Sequence, residues 1–300
     1  MILPLRYALS ALFLYSVITV PAGAKSRDEI INEAPAGDWR KLDPDNTLLM
    51  SVGGHGVIIA LAPRFAPEHV ANIRTLAKDH YFDDLAIVRV QDNFVTQWGD
   101  PDGEDKAKAR SLGNAKQHLP AEFATTYKSL PLNKLADKDG WAPVTGFVDA
   151  FPVAADPAQD KAWIPHCYGV VGAGRNMAPD SSTGAELYAI IGQAPRGLDL
   201  NITVVGKVLI GMQYLAALPR GTAALGFYDK PEQRTKIDSV RLFSDLPKED
   251  RPNLEMLRTD SKTWKALVEW TRNRSDQFYT HKANFTNVCN LTVPVREVKK

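Results

Sequence analysis

The segment 88–100, Val-Arg-Val-Gln-Asp-Asn-Phe-Val-Thr-Gln-Trp-Gly-Asp, holds the side chains best suited to chemistry. An arginine lies inside an otherwise apolar strand pattern, and Asp92-Asn93 is a turn-forming pair. If the chain reverses about Asn93, Arg89 and Gln97 are equidistant from the turn and face one another across a hairpin. Cross-strand partners at that spacing touch. A guanidinium stays protonated and presents a fixed fork of donors. A carboxamide both donates and accepts, and Phe94 and Val95 add apolar surface beside the pair. Such a set can hold a polar group against an apolar wall without a nucleophile. The other reading of the same residues is a surface hairpin with an exposed arginine.

Other chemistries find little support. The six histidines, at 55, 69, 80, 118, 166 and 281, form no H-x-x-x-H or comparable pair, so no metal site is expected. There is no G-x-S-x-G elbow and no Walker A loop. Gly169-Val-Val-Gly-Ala-Gly174 has the wrong order for a dinucleotide fingerprint and reads as a strand entering a turn. With 36 basic and 35 acidic residues in 300, the chain has no bias toward nucleic acid or an anionic membrane surface. Two cysteines exclude a disulfide-rich scaffold and a cysteine-based zinc site.

The elements around segment 88–100 are mostly short strands. Thr47–Val52 and Gly56–Leu61 flank Gly53-Gly54 and read as a hairpin. Pro67-Glu68 opens a helix over 67–79, with Val70, Ile73, Leu76 and Ala77 at helical spacing. Strands are expected at 85–90, 94–98, 168–171, 187–191, 203–208 and 236–243, with a short helix at 211–217. The stretch 100–165 shows no long helical stripe and reads as a decorated loop region. A helix is expected within 264–278 and a last strand at 288–295. Many short strands with few helices point to an antiparallel barrel or sandwich.

The N-terminus reads as an export signal. Arg6 is the only charge before an apolar run from Tyr7 to Val20, and Pro21 then precedes Ala22-Gly23-Ala24. That layout predicts a signal peptide over 1–24, cleaved after Ala24. The run is short for a membrane span, and no later segment approaches one. In an oxidising compartment Cys167 and Cys289 are either a disulfide or two small buried hydrophobes.

Taken as a set and in order, several motifs resemble the cyclophilin-type peptidyl-prolyl isomerases. They are Phe65-Ala66-Pro67 with Val70, Asn72 and Ile73; Val88-Arg89-Val90 through Phe94-Val95-Thr96-Gln97-Trp98-Gly99-Asp100-Pro101; Pro120-Ala121-Glu122-Phe123; Gly184-Ala185-Glu186-Leu187-Tyr188; and Val204-Val205-Gly206-Lys207-Val208 with Gly211-Met212. The resemblance covers about 47–243. It implies a mainly β fold, a closed antiparallel eight-stranded barrel with two helices. To this the chain adds a long loop insertion at about 124–165 and a C-terminal helical extension. The parts are then a signal peptide (1–24), a lead-in (25–44), an isomerase domain (45–245) and the extension (246–300).

By that resemblance Arg89 takes the place of the family's catalytic arginine, and Gln97 that of its substrate-anchoring glutamine. Phe94, Val95, Tyr188 and Leu198 fall where the family lines its proline pocket, and Glu186 and Ile202 complete the substrate-binding set. The chain departs from the family pattern at several of these places. Val88 replaces a usual His, Glu186 a Gln, Tyr188 a Phe, Gly197 a Trp and Ile202 a His. The implied activity is rotation about X-Pro bonds in exported polypeptides, in a periplasm first and otherwise after secretion, with no cofactor. The same pocket could instead bind proline-containing segments without catalysis. In a third reading the insertion and tail dock a partner on a barrel scaffold.

Overall fold

Gly53 and Gly54 both adopt positive φ (56° and 78°), the conformation a two-residue hairpin turn demands and glycine supplies without strain. They join β1 (Thr47–Val52) to β2 (His55–Leu61), with Val52 opposite His55. The computed structural model describes residues 25–298 apart from 275 and 277, so the expected signal peptide lies outside the described residues. Six further strands complete the barrel: β3 (Ala86–Val90), β4 (Val95–Gly99), β5 (Val170–Ala173), β6 (Leu187–Ile190), β7 (Val204–Ile210) and β8 (Ile237–Leu242). Their order is β8-β1-β2-β7-β5-β6-β4-β3, antiparallel throughout.

The barrel is nearly closed, where a fully closed one was expected. β3 and β8 meet only at their starts. The bridge Ala86–Lys236 joins them there, with Ile237 N donating to Leu85 O (2.8 Å) and Ile87 N to Thr235 O (2.8 Å). Farther along, the edge of β3 is covered by segment 221–228, through Tyr228 N to Val88 O (3.1 Å) and Gly221 N to Val90 O (2.9 Å). An exposed edge is a pairing hazard, and this cover removes it.

Four α-helices occur among the described residues: α1 (Arg27–Asn32), α2 (Pro67–Lys78), α3 (Met212–Ala216) and α4 (Lys262–Arg272). The two expected for the barrel are α2 and α3. α2 buries Val70, Ile73, Leu76 and Ala77 against the barrel interior. Its N-terminal residue Ala66 offers no side-chain cap. Glu122 caps it from a distant loop, accepting from Glu68 N and His69 N at 2.9 Å each. A carboxylate there satisfies two orphan donors and opposes the helix dipole.

The stretch expected to be a long loop is instead a five-stranded antiparallel sheet, ordered Thr125–Thr126, Lys161–Trp163, Phe151–Asp156, Val144–Val148 and Asn133–Lys134. Two features hid it. Its outer strands are two or three residues long. Its central turn is Asp149-Ala150, both at positive φ (48° and 66°), with no glycine or asparagine to announce the reversal. The lead-in is structured too. Trp39–Lys41 pairs with Leu254–Leu257, which pairs with Val295–Glu297, so the two ends of the described chain share one sheet. The last strand thus lies later than the expected 288–295, where a 3-10 turn stands at Val288–Asn290.

Two cores result. Inside the barrel, Leu48, Ile59, Ile87, Trp98, Val171, Leu187, Val205 and Val240 pack with the helices. Outside, Ala60, Val170 and Val204 face the insertion sheet and C-terminal extension, against Phe147, Phe151, Ile164, Leu257, Trp264 and Leu267. Neighbours in sequence therefore point into different cores, as Val170 and Val171 do. Strands buried on both faces read as continuous apolar runs for this reason. A disulfide joins Cys167, just before β5, to Cys289 in the extension.

Removing that bridge should destabilise the protein measurably, because it closes a loop with a sequence separation of 122. C167A/C289A should lose about 2–5 kcal/mol of unfolding free energy. Urea titration followed by circular dichroism measures this, and an unchanged midpoint would show that the apolar contacts alone hold the extension.

Candidate active site

The hairpin of β3 and β4 turns through Asp92-Asn93, with Asn93 at positive φ (51°). Val90 pairs with Thr96 and Arg89 with Gln97, as their equal distance from Asn93 implied. Beyond Arg89 the register shifts, and Ile87 pairs with Trp98. Val88 is the extra residue of a bulge. Ile87 and Trp98 can thus fill the barrel while Arg89 and Gln97 share the outer face.

That face carries a row of residues across four strands. Arg89 of β3 pairs with Gln97 of β4, Gln97 with Tyr188 of β6, and Tyr188 with Gly172 of β5. The row ends on glycine for a steric reason. A Cβ at position 172 would stand 2.2 Å from the Tyr188 hydroxyl.

Arg89 is held from three sides. Nε donates to Leu225 O (2.6 Å), Nη1 to Gln97 Oε1 (3.1 Å), and Nη2 to Gln91 Oε1. Leu225 itself sits at positive φ (59°), a conformation that non-glycine residues adopt at some energetic cost. The guanidinium carbon lies 5.4 Å from the Phe94 ring centroid and 5.3 Å from that of Phe227. A guanidinium has five N–H groups. The three bonds take three, which leaves two for a ligand. Burial lowers the Arg89 pKa, with Glu186 opposing, yet arginine starts so high that it stays charged.

Beside the row, Val95, Tyr188 and Ile190 form a buried apolar cluster against which Phe94 and Ile202 pack. Five of the expected side chains therefore converge with Gln97: Arg89, Phe94, Val95, Tyr188 and Ile202. Glu186 joins from the other side, accepting from Gln97 Nε2 at 2.5 Å. It borders a cleft of about 280 Å³ lined also by Asp100, Glu104, Arg110 and Arg175. Leu198 does not join the apolar cluster. It is half-buried on the 3-10 turn Arg196–Leu198. Sequence reading missed Gln91, Leu225 and Phe227. Gln91 was within the motif and could have been named from its spacing to Arg89, but Leu225 lies 136 residues away.

No group of three or more His, Cys, Asp or Glu side chains among the described residues is arranged for a metal ion. A cavity of about 320 Å³ lies elsewhere, between lead-in, barrel and insertion. Two cations that line it, Arg40 and Arg64, are both paired with Asp149. The described residues include no helix long and apolar enough to cross a membrane.

The fold is a nearly closed eight-stranded barrel whose outer wall carries an arginine, a glutamine and an apolar cluster side by side. The family model for cyclophilin type peptidyl-prolyl cis-trans isomerase matches residues 47–242. The chain belongs to that family and is a peptidyl-prolyl cis-trans isomerase acting on proline-containing polypeptides. Proteins named probable peptidyl-prolyl cis-trans isomerase from Brucella suis and Brucella abortus are each 26% identical over 188 residues, 61% of this chain and 76% of theirs. The crystal structure of cyclophilin AquaCyp293 from Hirschia baltica shares the fold. It aligns with a TM-score of 0.70 and 23% identity over 92% of this chain and 100% of its own. That likeness extends past the barrel into the insertion and the C-terminal extension.

Glu186 offers a pH test. Burial raises its carboxyl pKa above the ordinary value of 4.5, outweighing the bond from Gln97 and the charge of Arg89. The folded protein therefore binds more protons than the unfolded chain between the ordinary value and the raised one. Stability from this group is full below pH 4.5 and is lost as pH rises through the raised pKa. Urea midpoints measured from pH 4 to 7 should fall more steeply for the native protein than for E186Q. Parallel profiles would show that Glu186 is as well solvated in the fold as outside it.

Proposed function

We propose that Arg89 is the catalytic group of this isomerase, and that the enzyme works on exported polypeptides in the periplasm. The peptide bond resists rotation by ~18–20 kcal/mol because twisting it removes amide resonance. In the twisted state the prolyl nitrogen becomes pyramidal and carries a lone pair. An N–H of Arg89 can donate to that lone pair, which the planar ground state does not offer. Binding that strengthens only at the transition state raises the rate.

The observation that carries this reading is the row Arg89–Gln97–Tyr188 with two guanidinium N–H groups uncommitted beside an apolar cluster. Phe94, Val95, Tyr188 and Ile202 would receive the proline ring. Gln97 would hold a substrate carbonyl through its second amide N–H, since the first reaches Glu186. Glu186 and Leu198 would border the flanking peptide. The chemistry passes through no covalent intermediate. Support for export comes from the apolar run 7–20 with its Ala22-Gly23-Ala24 site, and from the disulfide, which suits an oxidising compartment.

R89A should lower kcat/KM on a short Ala-Pro peptide by on the order of 10²–10³-fold while leaving the circular dichroism unchanged. Activity that survives the substitution would overturn the role of Arg89. Activity absent from the native protein as well would favour a proline-binding module.

The export reading has its own test. After expression in a Gram-negative host, the periplasmic protein should begin at Lys25, as read by N-terminal sequencing. A product that keeps Met1 and stays in the cytosol would overturn it.

A further inference from the structure

Beneath Tyr188 lies a chain of buried polar side chains. The Tyr188 hydroxyl meets His166 Nε2 at 3.0 Å, and His166 Nδ1 meets Asp199 Oδ1 at 3.1 Å. Asp199 also accepts from His166 N (3.0 Å), Trp163 Nε1 (3.0 Å) and Arg196 Nε (2.6 Å). Arg196 in turn donates through Nη1 and Nη2 to both Asp139 oxygens, at 3.1 and 3.2 Å. The side chains of His166, Asp199, Arg196 and Asp139 are all at least nine-tenths buried.

The direction of these bonds follows from the donor set. Burial alone would raise the Asp199 pKa, but the His166 bonds, the Arg196 charge and Trp163 outweigh it and hold the carboxyl below its ordinary range. An ionised carboxylate only accepts, so His166 Nδ1 carries a proton. A singly protonated ring then leaves Nε2 to accept, with Tyr188 donating its O–H. Burial holds the Tyr188 hydroxyl far above the usual phenol range, so it keeps its proton. The ring reaches His166 only because it crosses Gly172, where any Cβ would meet the hydroxyl. The contact is therefore built into the sheet.

We propose that His166 and Asp199 are positioning residues of the isomerase, fixing the Tyr188 ring in the wall of the proline pocket through its hydroxyl. This rests on the reading that Tyr188 borders that pocket. Two consequences follow. The ring is anchored at its backbone by pairing with Gln97 and Gly172 and at its far end by His166, so it cannot swing out when substrate leaves. The insertion also acquires a role, because Asp139 belongs to it. The same Asp139 carboxylate accepts from Trp141 N (2.8 Å) and Ala142 N (3.0 Å), which ties the insertion's backbone to the end of the chain. The neighbouring residue, Cys167, is pinned by its disulfide to Cys289.

The test compares H166L with the double variant H166L/Y188F, using kcat/KM on an Ala-Pro peptide and the native full chain as reference. H166L strands a buried hydroxyl without an acceptor, and kcat/KM should fall roughly ten-fold. Y188F removes the other end of the same bond, so the double variant should lose little more than H166L alone. A native-like H166L, a double variant restored to native activity, or one that loses a further ten-fold overturns the proposal.

Nitrogen-15 NMR of the His166 ring in the native protein decides the same question without activity, and serves if H166L fails to fold. A neutral ring protonated on Nδ1, whose Nε2 resonance moves in Y188F, supports the bond. An Nε2 resonance that does not move in Y188F overturns it. An inactive native protein would sink the isomerase reading alone, and the NMR result would still decide whether the chain exists.

Discussion

A guanidinium on the outside of a barrel must be held still before it can do work, and most of the local structure serves that requirement. Arg89 alone is a flexible cation that water would solvate in many positions. Here one side chain is fixed by a cross-strand amide, an amide two residues on and a backbone carbonyl from the segment that closes the seam. The bulge at Val88 sets its phase, so that Ile87 fills the interior and Arg89 faces outward. Phe94 and Phe227 stand near the guanidinium and reduce its contact with water. Each bond is modest, but together they spend most of the conformational entropy in advance of binding.

The outer wall of the barrel is divided between two uses. The β2, β5 and β7 part is covered by the insertion sheet and the C-terminal extension, which turns those strands into walls shared by two cores. The β3, β4 and β6 part carries Arg89, Gln97, Val95 and Tyr188 instead. The boundary falls at β5, where Val170 packs under the extension and Gly172 makes room for Tyr188. The added segments therefore stop where the site begins. The buried chain from Tyr188 to Asp139 crosses that same boundary.

How much was legible in the sequence depended on the distance between interacting residues. The hairpin at Gly53-Gly54, the stripe on α2 and the facing of Arg89 and Gln97 were all readable, because turn chemistry and side-chain period act over a few residues. The insertion sheet was not, since Asp149-Ala150 turns without the usual residues and its outer strands are too short for alternation to show. Cys167 and Cys289 left pairing open because spacing says nothing about proximity.

The sequence by itself determined the barrel's strands, its family and the facing of Arg89 and Gln97, because each is written in local pattern or ordered motif. Only the tertiary structure decided what surrounds that arginine and what lies beneath Tyr188. Leu225 meets Arg89 across 136 residues, and His166 meets Tyr188 across 22. Such contacts exist only once β3 has met the seam segment and β5 lies beside β6. They depend on where the sheet folds back on itself, and no short-range preference of the chain encodes that.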